Sequence, residues 1–342
     1  MKKIIYPEKT SRSLTIGVTA PSSGLGIDTF IKRFELVAKE HSEKEIKIIE
    51  GHCLRKNEHF VSGTGKERAE DFTSMWNDSA IDLIQPPWGG EYLIDMLEYL
   101  DFEALKMNPT WVQGYSDIST LLFAITTKTG IATAHGTNFL DFINGQDELT
   151  SSSRDYLGLK EGDFFIQKSS NKWQSKFINF SDNLSTTFNL NEKTYWKVLN
   201  GNGASIEGRI IGGCLDTIRE IIATPYGNLN SFFNDYAKEE GIILYLENCE
   251  QNLVELYRIL ISFKLAGWYD NLNGIIFGRN GGPENDKFSY YGCISKVFES
   301  ADYPVILDAD IGHKPPQMTI INGSFASLSV DSGKAVLKQK LI

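Results

Sequence analysis

The sequence predicts an α/β protein, with a parallel sheet covered on both faces in its first half and mixed strands and helices in its second. Three observations lead there. From residue 13 to about 136, β-like apolar runs alternate with amphipathic helical patterns, as strands joined by crossover helices do. Further on, Met318 to Leu337 alternates around turn signals at Asn322-Gly323 and Asp331-Ser332-Gly333, a pattern of antiparallel strands. The 342 residues are 41% hydrophobic and 23% charged, enough core for one large domain or two ordinary ones.

The elements follow in order. Leu14 to Ala20 reads as a buried strand, stopped by Pro21-Ser22-Ser23-Gly24. Phe30, Phe34, Leu36 and Val37 recur at helical spacing up to His41, and Ile46 to Ile49 is a second strand. Residues 66–77 read as a helix, Ile81 to Ile84 as a strand stopped at Pro86-Pro87, and Glu91 to Leu100 as a helix. Thr110 to Tyr115 is a strand, Asp117 to Lys128 a helix, and Ile131 to Ala134 closes the series. Residues 145–185 break the rhythm with Ser151-Ser152-Ser153, Ser169-Ser170-Asn171 and Ser181-Asp182-Asn183. They predict a linker and a long loop carrying Trp173. Two domains follow, 1–150 and 186–342, with 151–185 between them. In the second, Ser205 to Gly212, Ile242 to Glu247, Gly274 to Phe277 and Pro304 to Leu307 are β-like, and 214–222, 251–266 and 284–299 are helical.

Charge and cysteine usage narrow the function classes. Lys plus Arg is 34 against 44 for Asp plus Glu, a net charge of −10, and no Lys/Arg block occurs. That argues against nucleic acid as a partner, whose affinity depends on clustered cations. The four cysteines, Cys53, Cys214, Cys249 and Cys293, are scattered with no CxxC pair, unlike a zinc knuckle or a secreted disulfide framework. No apolar run approaches the roughly 20 residues of a membrane span. Met1-Lys2-Lys3-Ile4-Ile5-Tyr6-Pro7-Glu8 has no signal-type apolar stretch. A cytoplasmic protein without membrane contact is expected.

Several motifs fail on inspection. Ser62-Gly63-Thr64-Gly65-Lys66 lacks the first glycine of a Walker loop and has Glu67 in place of Ser/Thr. Gly24-Leu25-Gly26-Ile27-Asp28-Thr29 lacks the third glycine of a dinucleotide fingerprint, and Gly201-Asn202-Gly203 precedes a strand. His52, Glu58 and His59 are the best metal candidates, yet no histidine shows ligand spacing, so no metal is expected.

Gly114-Tyr115-Ser116-Asp117 is the sharpest signal. It sits where an apolar strand hands over directly to an amphipathic helix. A serine there projects from the carboxyl edge of the sheet, with following backbone N–H groups and the helix dipole aimed at a developing oxyanion. The alternative is a helix-capping serine, and Ile118 replaces the last glycine of a GxSxG elbow. Gly89-Gly90, after another strand, permits close backbone approach and a second oxyanion donor, or makes a plain turn. A nucleophilic serine needs a base and an orienter. His313 lies in the Gly/Pro loop Asp308 to Pro316; Glu247 ends an apolar strand, where a buried carboxylate needs a partner. Asp308 and Asp310 compete for the same role.

These stretches resemble the LD-carboxypeptidase family of serine peptidases. The resemblance rests on Val18-Thr19-Ala20-Pro21-Ser22-Ser23, Gly89-Gly90, Gly114 to Ile118 and Thr133-Ala134-His135-Gly136. It continues through Gly208 to Gly213, Tyr245 to Glu250 and Gly312 to Pro316. It implies a triad of Ser116 as nucleophile, His313 as general base and then acid, and Glu247 as orienter. It also implies an oxyanion hole from the N–H of Asp117 and of Gly89 or Gly90. A flavodoxin-like first domain, a β-rich α+β second domain, a site between them, a homodimer and no cofactor follow from the same resemblance. Two family activities compete: trimming D-alanine from murein tetrapeptides, and cleaving aminoacyl-nucleotide conjugates such as microcin C. The Gly208 to Cys214 run with Arg209 and the serine-rich loop bearing Trp173 look more like the second. They make Arg209 and Trp173 candidate substrate-binding residues, with Trp173 stacking on adenine for about 1–3 kcal/mol.

Overall fold

The computed structural model describes residues 2–8 and 13–342; Met1 and residues 9–12 of the predicted first domain lie outside the described residues. Five strands, β1 (Thr15–Val18), β2 (Lys47–Glu50), β3 (Leu83–Ile84), β4 (Trp111–Gly114) and β5 (Thr133–His135), run parallel in the order 2-1-3-4-5. This is the flavodoxin-like order, and its reversal between β1 and β3 opens a crevice at the carboxyl edge of the sheet. Helices Asp28–Ser42, Gly65–Trp76 and Ile118–Thr129 form three of the four crossovers, and short helical turns between residues 93 and 105 form the one from β3 to β4. The rejected Walker-like segment is the start of the second of these. Thr64 Oγ1 accepts from the Glu67 N–H at 3.2 Å while Glu67 accepts from the Thr64 N–H at 2.8 Å, a capping box. In Ile118–Thr129 every residue but Lys128 is buried, because the helix expected to be amphipathic is enclosed between layers and its Thr126, Thr127 and Thr129 hydroxyls donate to backbone carbonyls.

The remaining strands are β6 (Phe164–Lys168), β7 (Lys172–Trp173), β8 (Glu192–Lys193), β9 (Lys197–Val198), β10 (Gly203–Cys214) and β11 (Ile242–Glu247). They continue with β12 (Leu272–Gly278), β13 (Val305–Ala309), β14 (Ile320–Asn322), β15 (Phe325–Asp331) and β16 (Lys334–Lys340). Eight of them form a second sheet ordered β6-β16-β15-β10-β11-β12-β13-β9, parallel from β10 to β13 and antiparallel at both flanks. All six residues of β11 are buried, so it reads as a continuous apolar run, whereas β16 has a more exposed face. The larger apolar core runs through both sheets, from Ile16 and Leu83 to Leu244 and Phe277.

Three expectations change. The 145–185 stretch is not a linker throughout. Glu148–Ser151 is helical, Tyr156 packs edge-on to Trp111 at 4.7 Å, and β6 pairs with β16. Its polarity misleads because β6 is an edge strand that buries only Phe165 and Gln167. The tail is not one antiparallel unit either: β14 crosses to the first sheet and covers the edge of β5, pairing Ile320 with His135. The helix expected over Glu91 to Leu100 is a 3-10 helix, Leu93–Tyr99. There the Leu93 N–H donates to Asp117 Oδ2 at 3.0 Å, which ties its first turn to the neighbouring loop.

Candidate active site

Ser116 sits on the turn between β4 and the helix Ile118–Thr129, with φ of +64°. A left-handed conformation strains a non-glycine residue by about 1–3 kcal/mol, and such strain concentrates where a side chain must be aimed. The Tyr115 N–H donates to Asn138 Oδ1 at 3.2 Å and fixes the turn from behind. The side chain that results projects from the carboxyl edge of the sheet.

The second sheet brings two partners to it. Cys214 pairs with Glu247 at the carboxyl ends of β10 and β11, and the Cys214 N–H donates to Ser119 Oγ at 3.0 Å. That bond docks these strand ends on the helix that follows Ser116. His313 comes from the loop after β13. The Ser116 hydroxyl donates to His313 Nε2 at 3.0 Å, and His313 Nδ1–H donates to Glu247 at 2.9 Å from Oε1 and 3.2 Å from Oε2. Glu247 is fully buried, while the His313 side chain is 24% exposed. A Cβ on Gly312, whose φ is +86°, would lie 2.4 Å from the Glu247 carboxyl, so only glycine lets the loop close over it.

Electrostatics follow from this burial. Desolvation opposes charge on His313, but the Glu247 carboxylate beside it prevails and holds the imidazole well above its ordinary 6.5. Burial likewise works against ionisation of Glu247, and the His313 charge and hydrogen bond keep it below the usual carboxylate value. The two titrate as a pair. His135, packed edge-on between Tyr115 and Tyr245 at 6.5 and 5.3 Å, is pushed down to about 4 by burial.

On the other side of Ser116 stands the Gly89-Gly90 turn. A Cβ on Gly89 would lie 2.7 Å from Ser116 Oγ and 3.3 Å from the Asp117 nitrogen, which measures how closely this backbone approaches the serine. The Ser23 N–H donates to the Gly89 carbonyl at 3.3 Å, and Ser22 Oγ donates to Asp117 Oδ2 at 2.5 Å. The loops after β1, β3 and β4 are thus tied together at the topological switch point. A cavity of about 370 Å³ opens here, lined by Gly90, Ser116, Asp117, Cys214, Asp216 and Cys249, with Glu91, Glu220 and Glu250 at its sides.

The rival orienters are engaged elsewhere. Asp310 is fully buried against Arg279 and accepts from Trp196 Nε1 at 2.9 Å; Asp308 pairs with Lys197 at 2.9 Å. Of the two candidates for substrate binding, Arg209 is held away from Ser116. Arg209 pairs with Ile242 in the sheet, five residues before Glu247, or about 16 Å along the strand at 3.3 Å per residue. There it is buried, bonded to Glu240 and to the carbonyls of Gly323 and Ile342, because its apolar strand carries it into the core. Trp173 does not line this cavity but a separate cleft of about 330 Å³, with the Arg279 guanidinium 5.2 Å from its ring centroid.

Residues not singled out from the sequence also shape the site. Arg279 donates to the Lys314 carbonyl at 3.0 Å and, through Asp310, braces the His313 loop. Asp216 accepts from the N–H groups of Cys249 and Glu250 at 2.8 and 3.0 Å and holds the loop after Glu247. The signal for Arg279 was present: like Glu247, it is a charged residue directly following an apolar strand. Among the described residues, Cys214, Glu247 and His313 also place one ligand atom each within 4.8 Å of one another, a grouping that spacings of 33 and 66 residues conceal.

Comparison with known proteins gives this geometry a context. The LD-carboxypeptidase N-terminal domain model matches residues 16–136, and the C-terminal domain model residues 207–328. The Escherichia coli Microcin C7 self-immunity protein is 26% identical over 92% of this chain and 89% of its own. A probable murein peptide carboxypeptidase of Bacillus subtilis is 22% identical over 97% of this chain and 94% of its own. The structure of the Microcin C7 self-immunity protein in complex with aspartyl sulfamoyl adenosine superposes with a TM-score of 0.82 at 24% identity, covering 99% of each chain. With both of its domain models found in order along one chain and that chain folded as its relatives are, this protein belongs to the LD-carboxypeptidase family.

Proposed function

We propose that the protein is a serine hydrolase that cleaves an amide-type bond through a Ser116–His313–Glu247 triad, acting on conjugates of an amino acid with a nucleotide. The observation that carries the chemistry is the continuous hydrogen-bonded line from Ser116 Oγ through His313 to the buried Glu247. Ser116 Oγ attacks the scissile carbonyl while His313 Nε2 takes its proton. The N–H groups of Asp117 and of Gly89 or Gly90 face the oxygen that becomes negative, where each donor contributes about 10²–10³ in rate. His313 then returns the proton to the leaving nitrogen, and the C–N bond breaks to leave an acyl-Ser116 ester. Water, deprotonated by His313, hydrolyses that ester and restores the serine. Glu247 keeps the imidazole in the tautomer this requires. In this reading the first domain supplies the nucleophile and oxyanion donors, and the second supplies Glu247 and His313.

The substrate class is supported by the similarity to a self-immunity protein that binds aspartyl sulfamoyl adenosine. The resemblance to murein peptide carboxypeptidases supports a second reading, removal of D-alanine from a murein tetrapeptide. We further propose a homodimer working in the cytoplasm, where four unpaired cysteines suit a reducing compartment. No described helix is long and apolar enough to cross a membrane. The test is mass spectrometry of a mixture of an aminoacyl sulfamoyl-adenosine and a murein tetrapeptide, incubated with wild type and with Ser116→Ala. Ser116-dependent release of the free amino acid supports the first reading, and loss of D-alanine the second. Ser116→Ala is expected to be slowed by at least about 10³-fold. A rate within tenfold of wild type would sink the mechanism.

A further inference from the structure

We propose that Cys214, Glu247 and His313 also form a binding site for a thiophilic divalent cation, Zn²⁺ by its donor set, and that occupancy switches the hydrolase off. A thiolate, an imidazole and a carboxylate are the ligands zinc takes in three-residue sites that keep a fourth position open. One donor atom from each lies within 4.8 Å of the other two. Tetrahedral zinc places sulfur and nitrogen donors about 3.5 Å apart, so closure requires a shift of no more than about 1.3 Å.

The donors are held in advance. Cys214 ends β10 beside Glu247, its N–H bound to Ser119 Oγ, and both side chains are buried. Gly312 closes over the Glu247 carboxyl. An entry path exists, because Cys214 lines the cavity that opens at Ser116. Cys249 lines the same cavity but lies outside the three-donor grouping, which leaves the fourth position to a water.

The consequence for catalysis follows from proton accounting. Binding releases the Cys214 thiol proton to solvent as the Zn–S bond forms. If Nδ1 coordinates, its proton passes to Nε2, and Ser116 then faces an N–H instead of a base. If Nε2 coordinates, the lone pair that accepts the serine proton is occupied. Either way the general base is lost while the fold is kept. The metal site stands on geometry alone; its effect on turnover rests on the triad reading above.

The test separates the two. Zn²⁺ is titrated calorimetrically into wild type, Ser116→Ala, Cys214→Ser and Cys214→Ala, and Co²⁺ is followed by its thiolate charge-transfer absorption in wild type, which needs neither turnover nor a mutation. Expected is one ion per chain with a thiolate–cobalt band, binding that tightens as pH rises, and retention of binding in Ser116→Ala. Both Cys214 variants should bind at least tenfold more weakly, since even outer-shell partners of a metal contribute 10–100-fold. Inhibition of hydrolysis should track occupancy and reverse with EDTA. Absence of the thiolate band in wild type, or equal Zn²⁺ affinity with and without Cys214, would overturn the site; binding without inhibition would overturn the switch.

Discussion

Replacing Glu247 by Gln tests the core of the mechanism, because it changes one charge and almost no volume. In wild type Glu247 is fully buried and accepts His313 Nδ1–H at 2.9 and 3.2 Å. An amide there can present N–H to Nδ1, which favours the tautomer with its proton on Nε2, facing Ser116. Loss of a triad carboxylate in this manner lowers turnover by about 10⁴-fold, or about 5 kcal/mol at 1.36 kcal/mol per decade. The pH profile gives an independent sign. Activity requires neutral His313, and Glu247 raises its pKa above 6.5 against the opposing effect of burial. The acid limb of kcat/KM for wild type therefore lies above pH 6.5, with activity rising as pH passes through it. In Glu247→Gln the largest raising influence is gone while burial remains, so the limb moves to lower pH even as the plateau falls. Hydrolysis of an aminoacyl sulfamoyl-adenosine, followed by mass spectrometry from pH 5 to 9, reads both effects. A plateau within tenfold of wild type, or an acid limb that stays put or moves upward, would refute the reasoning.

Two further outcomes are expected. Gly89→Ala places a Cβ 2.7 Å from Ser116 Oγ at the edge of the cavity, so kcat should fall by about 10²–10³-fold, the worth of one oxyanion donor, while urea denaturation changes little. Arg209→Ala should do the reverse. It strands the largely buried Glu240 and removes one of the donors to the Ile342 carbonyl, which destabilises the fold by about 3 kcal/mol in urea melts, and kcat stays at the wild-type value.

Much of this molecule was legible from one sequence because its signals are local. The alternation of apolar runs with helical patterns up to residue 136 reflects hydrophobic periodicity, and the parallel sheet follows from it. The strand-to-helix serine at 116, the carboxylate ending the apolar strand at 247 and the histidine in a Gly/Pro loop at 313 each stand out within a dozen residues. What escaped was non-local or marginal in hydrophobicity. Edge strand β6 buries two of its five side chains, too few to announce itself within a serine-rich stretch. Arg209 illustrates the opposite error: in sequence it belongs to a Gly-Arg-Ile-Ile-Gly-Gly run that suggests a ligand site, yet its position on β10 turns it away from Ser116 and into a buried ion pair. The choice among Glu247, Asp308 and Asp310 was open for the same reason, since all three end or follow apolar strands and only strand order decides which carboxyl meets the imidazole. Sequence by itself determined the elements, the residue types able to do acyl-transfer chemistry and their order along the chain. Only the tertiary structure decided which of them touch, because contacts between residues 116, 214, 247 and 313 arise from the docking of two sheets, and no periodicity within either sheet encodes the distance between them.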